Sequence, residues 1–296
     1  MARPVASAPV SIAFLAIVGL AYAGAIAASL MTRFDGGLAS MWLANGVLAA
    51  VLAKRSMRQW PVIALVALPI SAVLTVLFGL GPLAALPLAL ANFGESMILS
   101  AVLRRWAPVH GGALRSIGQV AALIGGGLLA ATLSAPMAAW VASTLSRGDF
   151  AVHWLNWTTG HVLGTIAVTP IVLMLVSGDL DEWWHNSTRG ERMECAFHAA
   201  LVAAVALATF SQTVMPTTFM PILPVTLATF RLGRVGAAVG MLILATIAIS
   251  FSMRGMGPVA LMPPDPVARM HMVQFYLAIV ALTVLPAPIC VGAKMW

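Results

Sequence analysis

The chain has 296 residues, of which 61% are hydrophobic and only 8% charged, whereas a soluble domain is roughly half apolar and about a quarter charged. That balance excludes a water-soluble globular domain. The net charge of +7 would suit a nucleic-acid partner only if the cations shared one face; they fall instead in small clusters between apolar runs, and no nucleic acid is expected.

In chain order, residues 10–31, 38–53, 60–80, 82–103, 117–142, 151–177, 193–213, 217–230, 235–252 and 270–292 are each nearly free of charge. A helix of roughly 20 apolar residues spans the roughly 30 Å hydrocarbon layer of a bilayer. The runs predict an all-α, polytopic transmembrane helical bundle of about ten helices. They leave no room for a second domain, so residues 1–296 read as one integral membrane unit. The first run exceeds the roughly 7–15 apolar residues of a signal-peptide core and reads as an uncleaved helix. Residues 193–230 as a single helix would be about 57 Å long, so two crossings with a break near Pro216 are expected. The second of these, 217–230, carries Pro221 and Pro224 and should be bent or partly unwound.

The breaks between runs alternate in charge. Arg3, Lys54, Arg55, Arg58, Arg104, Arg105, Arg115, Arg189, Arg192, Arg231, Arg234 and Lys294 fall on one set; Arg33, Arg147, Arg254 and Arg269 fall on the other. Cytoplasmic loops retain Lys and Arg. Twelve cations against four therefore place both termini in the cytoplasm.

Soluble-enzyme chemistry finds no support. There is no phosphate-binding loop, no nucleophile elbow and no nucleophile beside a base, so no enzymatic activity is expected. Cys195 and Cys290, near the cytoplasmic ends of two runs, read as apolar packing. No Cys/His cluster supports a metal site, and no cofactor is implied.

The information lies inside the apolar runs, where a polar side chain is costly and faces the bundle interior or a cavity. Trp42 and Asn45 lie three apart on one helical face, as do Asn92 and Glu95. Glu95 is the one acid well inside an apolar run. It reads either as a packing device bonded to a neighbouring helix or as a ligand- or proton-responsive carboxylate. In the sixth run His153, Trp157, Gly160, His161 and Gly164 share a stripe. Its glycines let a neighbouring helix approach closely. Trp154 and Trp157 also suit an interfacial aromatic belt, and His161 reads as either site-lining or structural. Gly127–Ala131 and Gly236–Gly240 read as packing seams, residues 179–192 as an amphipathic surface segment, and 254–269 as an outer connector or lid. A faint internal echo relates the second and third runs to the eighth and ninth: each pair is a span, a basic break and a span ending in Ile-Ser. The offset of six preserves orientation, so a duplication would be parallel.

These motifs in order, Trp42-Leu-Ala-Asn45-Gly46, Asn92-Phe-Gly-Glu95 ahead of Arg104-Arg105, Trp157-Thr-Thr-Gly160-His161-Val-Leu-Gly164 with Pro170, Arg231-Leu-Gly233, and Gln274-Phe275, resemble the membrane-associated sensor family called MASE-one over residues 38–292. The resemblance implies a bacterial inner-membrane sensory module, of the kind usually joined to kinase, cyclase or phosphodiesterase domains. Two departures stand out: the family commonly has Asp where this chain has His161, and the sequence ends at Trp296 soon after the last run. The expectation is a non-enzymatic sensory and signal-transduction module, embedded in the lipid bilayer and acting through a signalling or membrane protein partner at the cytoplasmic face. An unknown small ligand would bind among Trp42, Asn45, Asn92, Glu95, Trp157 and His161. A small secondary transporter and a structural subunit of a larger membrane complex are the alternatives.

Overall fold

The computed structural model describes residues 10–33, 38–106, 114–146 and 148–290. Arg3, Arg147 and Lys294 of the charge tally lie outside them. The described residues form α1 (Ile12–Leu30), α2 (Ala44–Lys54), α3 (Trp60–Phe78), α4 (Pro82–Trp106), α5 (Ile117–Ser146), α6 (Phe150–Val176), α7 (Asp179–Asn186), α8 (Arg189–Phe210), α9 (Ile222–Ser252), α10 (Pro266–Val284) and the single turn α11 (Ala287–Cys290). Eight of these elements are long and apolar enough to cross a membrane. Leu20, Leu65, Leu83, Leu133 and Phe275 stay exposed on them, the surface a bilayer requires.

Local signals explain where helices begin. The Ser11 hydroxyl accepts from the Phe14 amide, and Asp149 from that of Val152. Thr188 and Glu191 form a reciprocal capping box at the start of α8, which satisfies two otherwise orphaned amides. Asp265 caps α10, with Pro266 at its first position.

Two of the ten apolar runs are not full-length helices. Residues 38–43 are non-helical, and α2 has only 11 residues, about 16 Å of rise or half the hydrocarbon layer. Every residue from Ala44 to Ala53 is buried. An apolar helix without a polar face belongs in an interior, and α2 packs among α1, α4 and α6.

The second departure lies in α9. Gly233 has φ 61° and ψ −136°, a left-handed backbone open to glycine. There the chain reverses: a methyl on Gly236 would lie 2.0 Å from the Ala228 carbonyl oxygen, and one on Gly240 would lie 3.3 Å from Val225. α9 is thus a hairpin of a short limb (222–232) and a long limb (234–252). The Gly236–Gly240 seam exists for that near contact within the hairpin. Residues 211–221 ahead of it are non-helical, which extends the expected unwinding around Pro216 and Pro221.

The internal echo therefore has a shape. In both halves a long helix leads into a non-helical stretch, an 11-residue helix, a basic break and a 19-residue helix: 44–54 then 60–78, and 222–232 then 234–252. Eight full crossings and two half-helices with non-helical lead-ins reproduce the ten runs.

The glycine stripe of α6 also differs from expectation. It admits not a helix but the non-helical backbone of residues 39–42. A methyl on Gly164 would meet the Trp42 carbonyl oxygen at 2.1 Å, and one on Gly160 the Ala39 carbonyl oxygen at 2.8 Å. Between them the Trp42 amide donates to the Gly160 carbonyl at 3.0 Å. Gly164→Ala is expected to destabilise the protein by about 2 kcal/mol through forced separation of that contact. Gly125→Ala, which meets nothing within 4 Å, should be neutral or slightly stabilising. Unfolding of both variants in detergent checks this pair.

Candidate functional site

α2 begins inside the bundle, so its first-turn amides have no preceding turn to bond. No side chain caps it. The elements around that end supply the polar groups: Trp42 and Asn45 from the lead-in and α2, Asn92 and Glu95 from α4, Trp157 and His161 from α6. All six are buried, none more than 9% exposed, and they form one cluster.

The His161 ring lies between two indoles. Trp157 stacks on one face with centroids 3.8 Å apart, and Trp42 lies nearly parallel on the other at 5.5 Å and 4°. Its Nδ1 is 2.8 Å from Glu95 Oε2. The same oxygen accepts from the Ser134 hydroxyl at 2.7 Å. Ser134 in turn accepts from Trp157 Nε1 at 2.9 Å. An indole N–H only donates, so Ser134 accepts from Trp157, and its own hydroxyl proton faces Glu95 Oε2 at 2.7 Å and the Ala131 carbonyl at 3.0 Å. Glu95 Oε2 and His161 Nδ1 share one proton across this contact.

The amide of Asn45 completes the arrangement. Its Oδ1 accepts from Trp42 Nε1 at 3.1 Å, and its Nδ2 donates to Asn92 Oδ1 at 3.4 Å. Asn45 Nδ2 is also 3.3 Å from His161 Nδ1. These bonds join α2, α4, α5 and α6. Among the described residues His161 Nε2 has no partner. The ring borders a cavity of about 30 Å³, lined also by Trp42, Asn92, Trp157, Thr75 and Leu88; this is room for a water or two.

The reading of Trp157 as an interfacial belt residue is corrected. It is 4% exposed and stacked in the core, because Ser134 satisfies its N–H far from any interface. Ser134 itself carries no signal in sequence, being one small residue in a helix full of them. Also missed were the groups that hold the lead-in. Ser29 Oγ accepts from the Leu43 amide at 2.8 Å, Thr32 Oγ1 from that of Met41 at 3.3 Å, and Gln274 Nε2 donates to the Ser40 carbonyl at 2.7 Å.

A second polar node lies at the other end of α2. Asp179, first residue of α7, is buried between Arg115 at 3.4 Å and Arg234 at 3.3 Å. Lys54, the last residue of α2, is within electrostatic reach of it. Arg234 is 6% exposed. Its sequence position marks a membrane boundary, but its side chain serves as an internal tie at the turn of the α9 hairpin. Among the described residues no group of three His, Cys, Asp or Glu side chains is placed to hold a metal ion.

The profile of the MASE1 family matches residues 11–294, nearly the whole chain. The protein belongs to this family of membrane-associated sensor domains. No curated protein and no solved structure matches it.

Ser134→Ala is expected to cost about 1–3 kcal/mol, because it leaves the buried Trp157 N–H without an acceptor and Glu95 with one donor fewer. The double variant Ser134→Ala/Trp157→Phe should recover part of that loss, since it removes both partners together. Equilibrium unfolding of the three proteins measures the difference.

Proposed function

We propose that the chain is a non-enzymatic sensory module of a bacterial inner membrane, with α2 as the element that carries the signal. The observation behind this reading is the meeting of Trp42, Asn45, Asn92, Glu95, Trp157 and His161 at the inner end of α2, while its other end lies within electrostatic reach of Asp179. A rigid helix of about 16 Å joins the two. A ligand or proton reaching His161 Nε2 would change the stacking between Trp42 and Trp157, and with it the seat of Trp42 on α6. A positive imidazole between two indole faces gains cation–π attraction, so the cluster distinguishes the two states energetically. Only such differential affinity shifts a population.

At about 30 Å³ the cavity beside His161 takes nothing larger than water in this packing. A larger ligand would require Trp42 and the lead-in to withdraw. With the basic breaks on the cytoplasmic side, movement of α2 would be delivered to Arg115, Asp179 and Arg234, where a partner protein would read it.

Spin labels at exposed Met57, just after α2, and exposed Met193, in the second turn of α8, test this in a background without Cys195 and Cys290. The distance distribution by electron paramagnetic resonance should shift or broaden in Glu95→Gln and in His161→Ala. Distributions identical to the parent in both variants would contradict α2 as the moving element.

One observation favours a second reading, a small transporter: the two half-helices with non-helical lead-ins, since discontinuous helices in repeated halves build transport sites. Flux through the purified protein in liposomes, followed as proton movement with an internal pH dye, separates the two. A sensor gives none.

A further inference from the structure

A groove of about 320 Å³ runs along α6 between α5 and α10, apart from the His161 cluster. Its walls are Leu128 of α5, Leu155, Val162 and Ile166 of α6, and Phe275 and Ala278 of α10. All three flanking elements are membrane spans by length and composition. The groove therefore opens into hydrocarbon, and what fills it comes from the bilayer. Its size falls in the range of small-molecule sites.

One end is not apolar. His271 lines it, and its Nε2 lies 2.6 Å from Asn156 Oδ1. With the amide so placed, Nε2 carries the proton and Nδ1 is left as an acceptor with no partner among the described residues. Two neighbours are in the same position: buried Asn156 Nδ2 and buried Thr158 Oγ1 make no hydrogen bond. Bulk acyl chains do nothing for such groups, and buried polar atoms are ordinarily satisfied. Both a donor and an acceptor are wanting, and a hydroxyl supplies both.

We infer that this groove binds a lipophilic molecule bearing a single hydroxyl-type group, its chain along α6 and its oxygen at His271 and Thr158, which line the groove. Gln274, on the same wall, accepts from Thr159 at 3.0 Å and donates to the Ser40 carbonyl. The occupant therefore lies one side chain away from the lead-in of α2. Binding itself does not depend on the sensory reading, and its test is separate from it.

The test uses the purified full chain in lipid nanodiscs and a long-chain alcohol carrying a diazirine in mid-chain. The same compound without its hydroxyl, and a diazirine-bearing phospholipid, are the comparison probes. The alcohol should label peptides covering 155–166 and 271–278 saturably, and unlabelled alcohol should compete. Labelling affinity should fall about tenfold in His271→Leu, as loss of a hydrogen bond in an apolar site implies. Leu128→Trp, at a half-exposed position on the groove wall, should abolish saturable labelling by filling the space. Thr158→Val, nearly isosteric, guards against misfolding of the other two, and should weaken labelling without changing thermal stability. Equal, non-saturable labelling by the alcohol and its deoxy analogue would overturn the proposal and leave ordinary annular lipid. Preference for the phospholipid would also overturn it, in favour of a headgroup site. Labelling of the alcohol unchanged by Leu128→Trp would do the same.

Discussion

A helix that starts inside the bilayer is the constraint on which the rest of this structure depends. Backbone in hydrocarbon has no water to bond, so non-helical segments at that depth survive only where protein satisfies them. Residues 38–43 are such a segment. Gly160 accepts the amide of Trp42, Thr32 and Ser29 take those of Ser40, Met41 and Leu43, and Gln274 covers the Ser40 carbonyl. Groups from α1, α6 and α10 converge on six residues of backbone. The glycines of α6 are the steric counterpart, since any side chain at Gly164 would push that backbone away.

The polar cluster follows from the same constraint. Once α2 ends in the interior, Trp42 and Asn45 arrive there too, and their polar atoms need partners from α4 and α6. A carboxylate at that depth is tolerable only when bonded from several sides. Glu95 is bonded from α5 through Ser134 and from α6 through His161. Such a network is high-stakes: fully satisfied it fixes one packing, and a single lost member leaves several groups unpaired. In the function proposed above, that sensitivity would serve as the switch, because a change at His161 touches groups on four helices.

The helical class, the apolar runs and the six cluster residues were legible in the sequence because each rests on a local rule. Length and hydropathy give spans, and three- or four-residue spacing gives faces. The scarcity of intramembrane polar groups makes each of them conspicuous. What was not legible depends on partners distant in the chain. Residues 38–53 read as a span by hydropathy alone, since a buried half-helix and a crossing helix are equally apolar. Arg231 and Arg234 marked the break between the runs 217–230 and 235–252, but not that the chain turns at Gly233 and packs the short limb back on the long one. Ser134 is silent because one hydroxyl in an Ala-rich helix has many meanings, and Arg234 misleads because a topology cation and a buried tie look alike in sequence. The glycine stripe of α6 announced a close approach but not what approaches.

The most direct test of the account is a double-mutant cycle between Glu95 and His161, with Glu95→Gln, His161→Leu and the pair compared by equilibrium unfolding in detergent. If their contact anchors the inner end of α2, the two losses are strongly non-additive, with a coupling of about 1–3 kcal/mol. Losses that add to within about 0.5 kcal/mol would mean that the two groups act separately, and the cluster would no longer explain why α2 begins where it does.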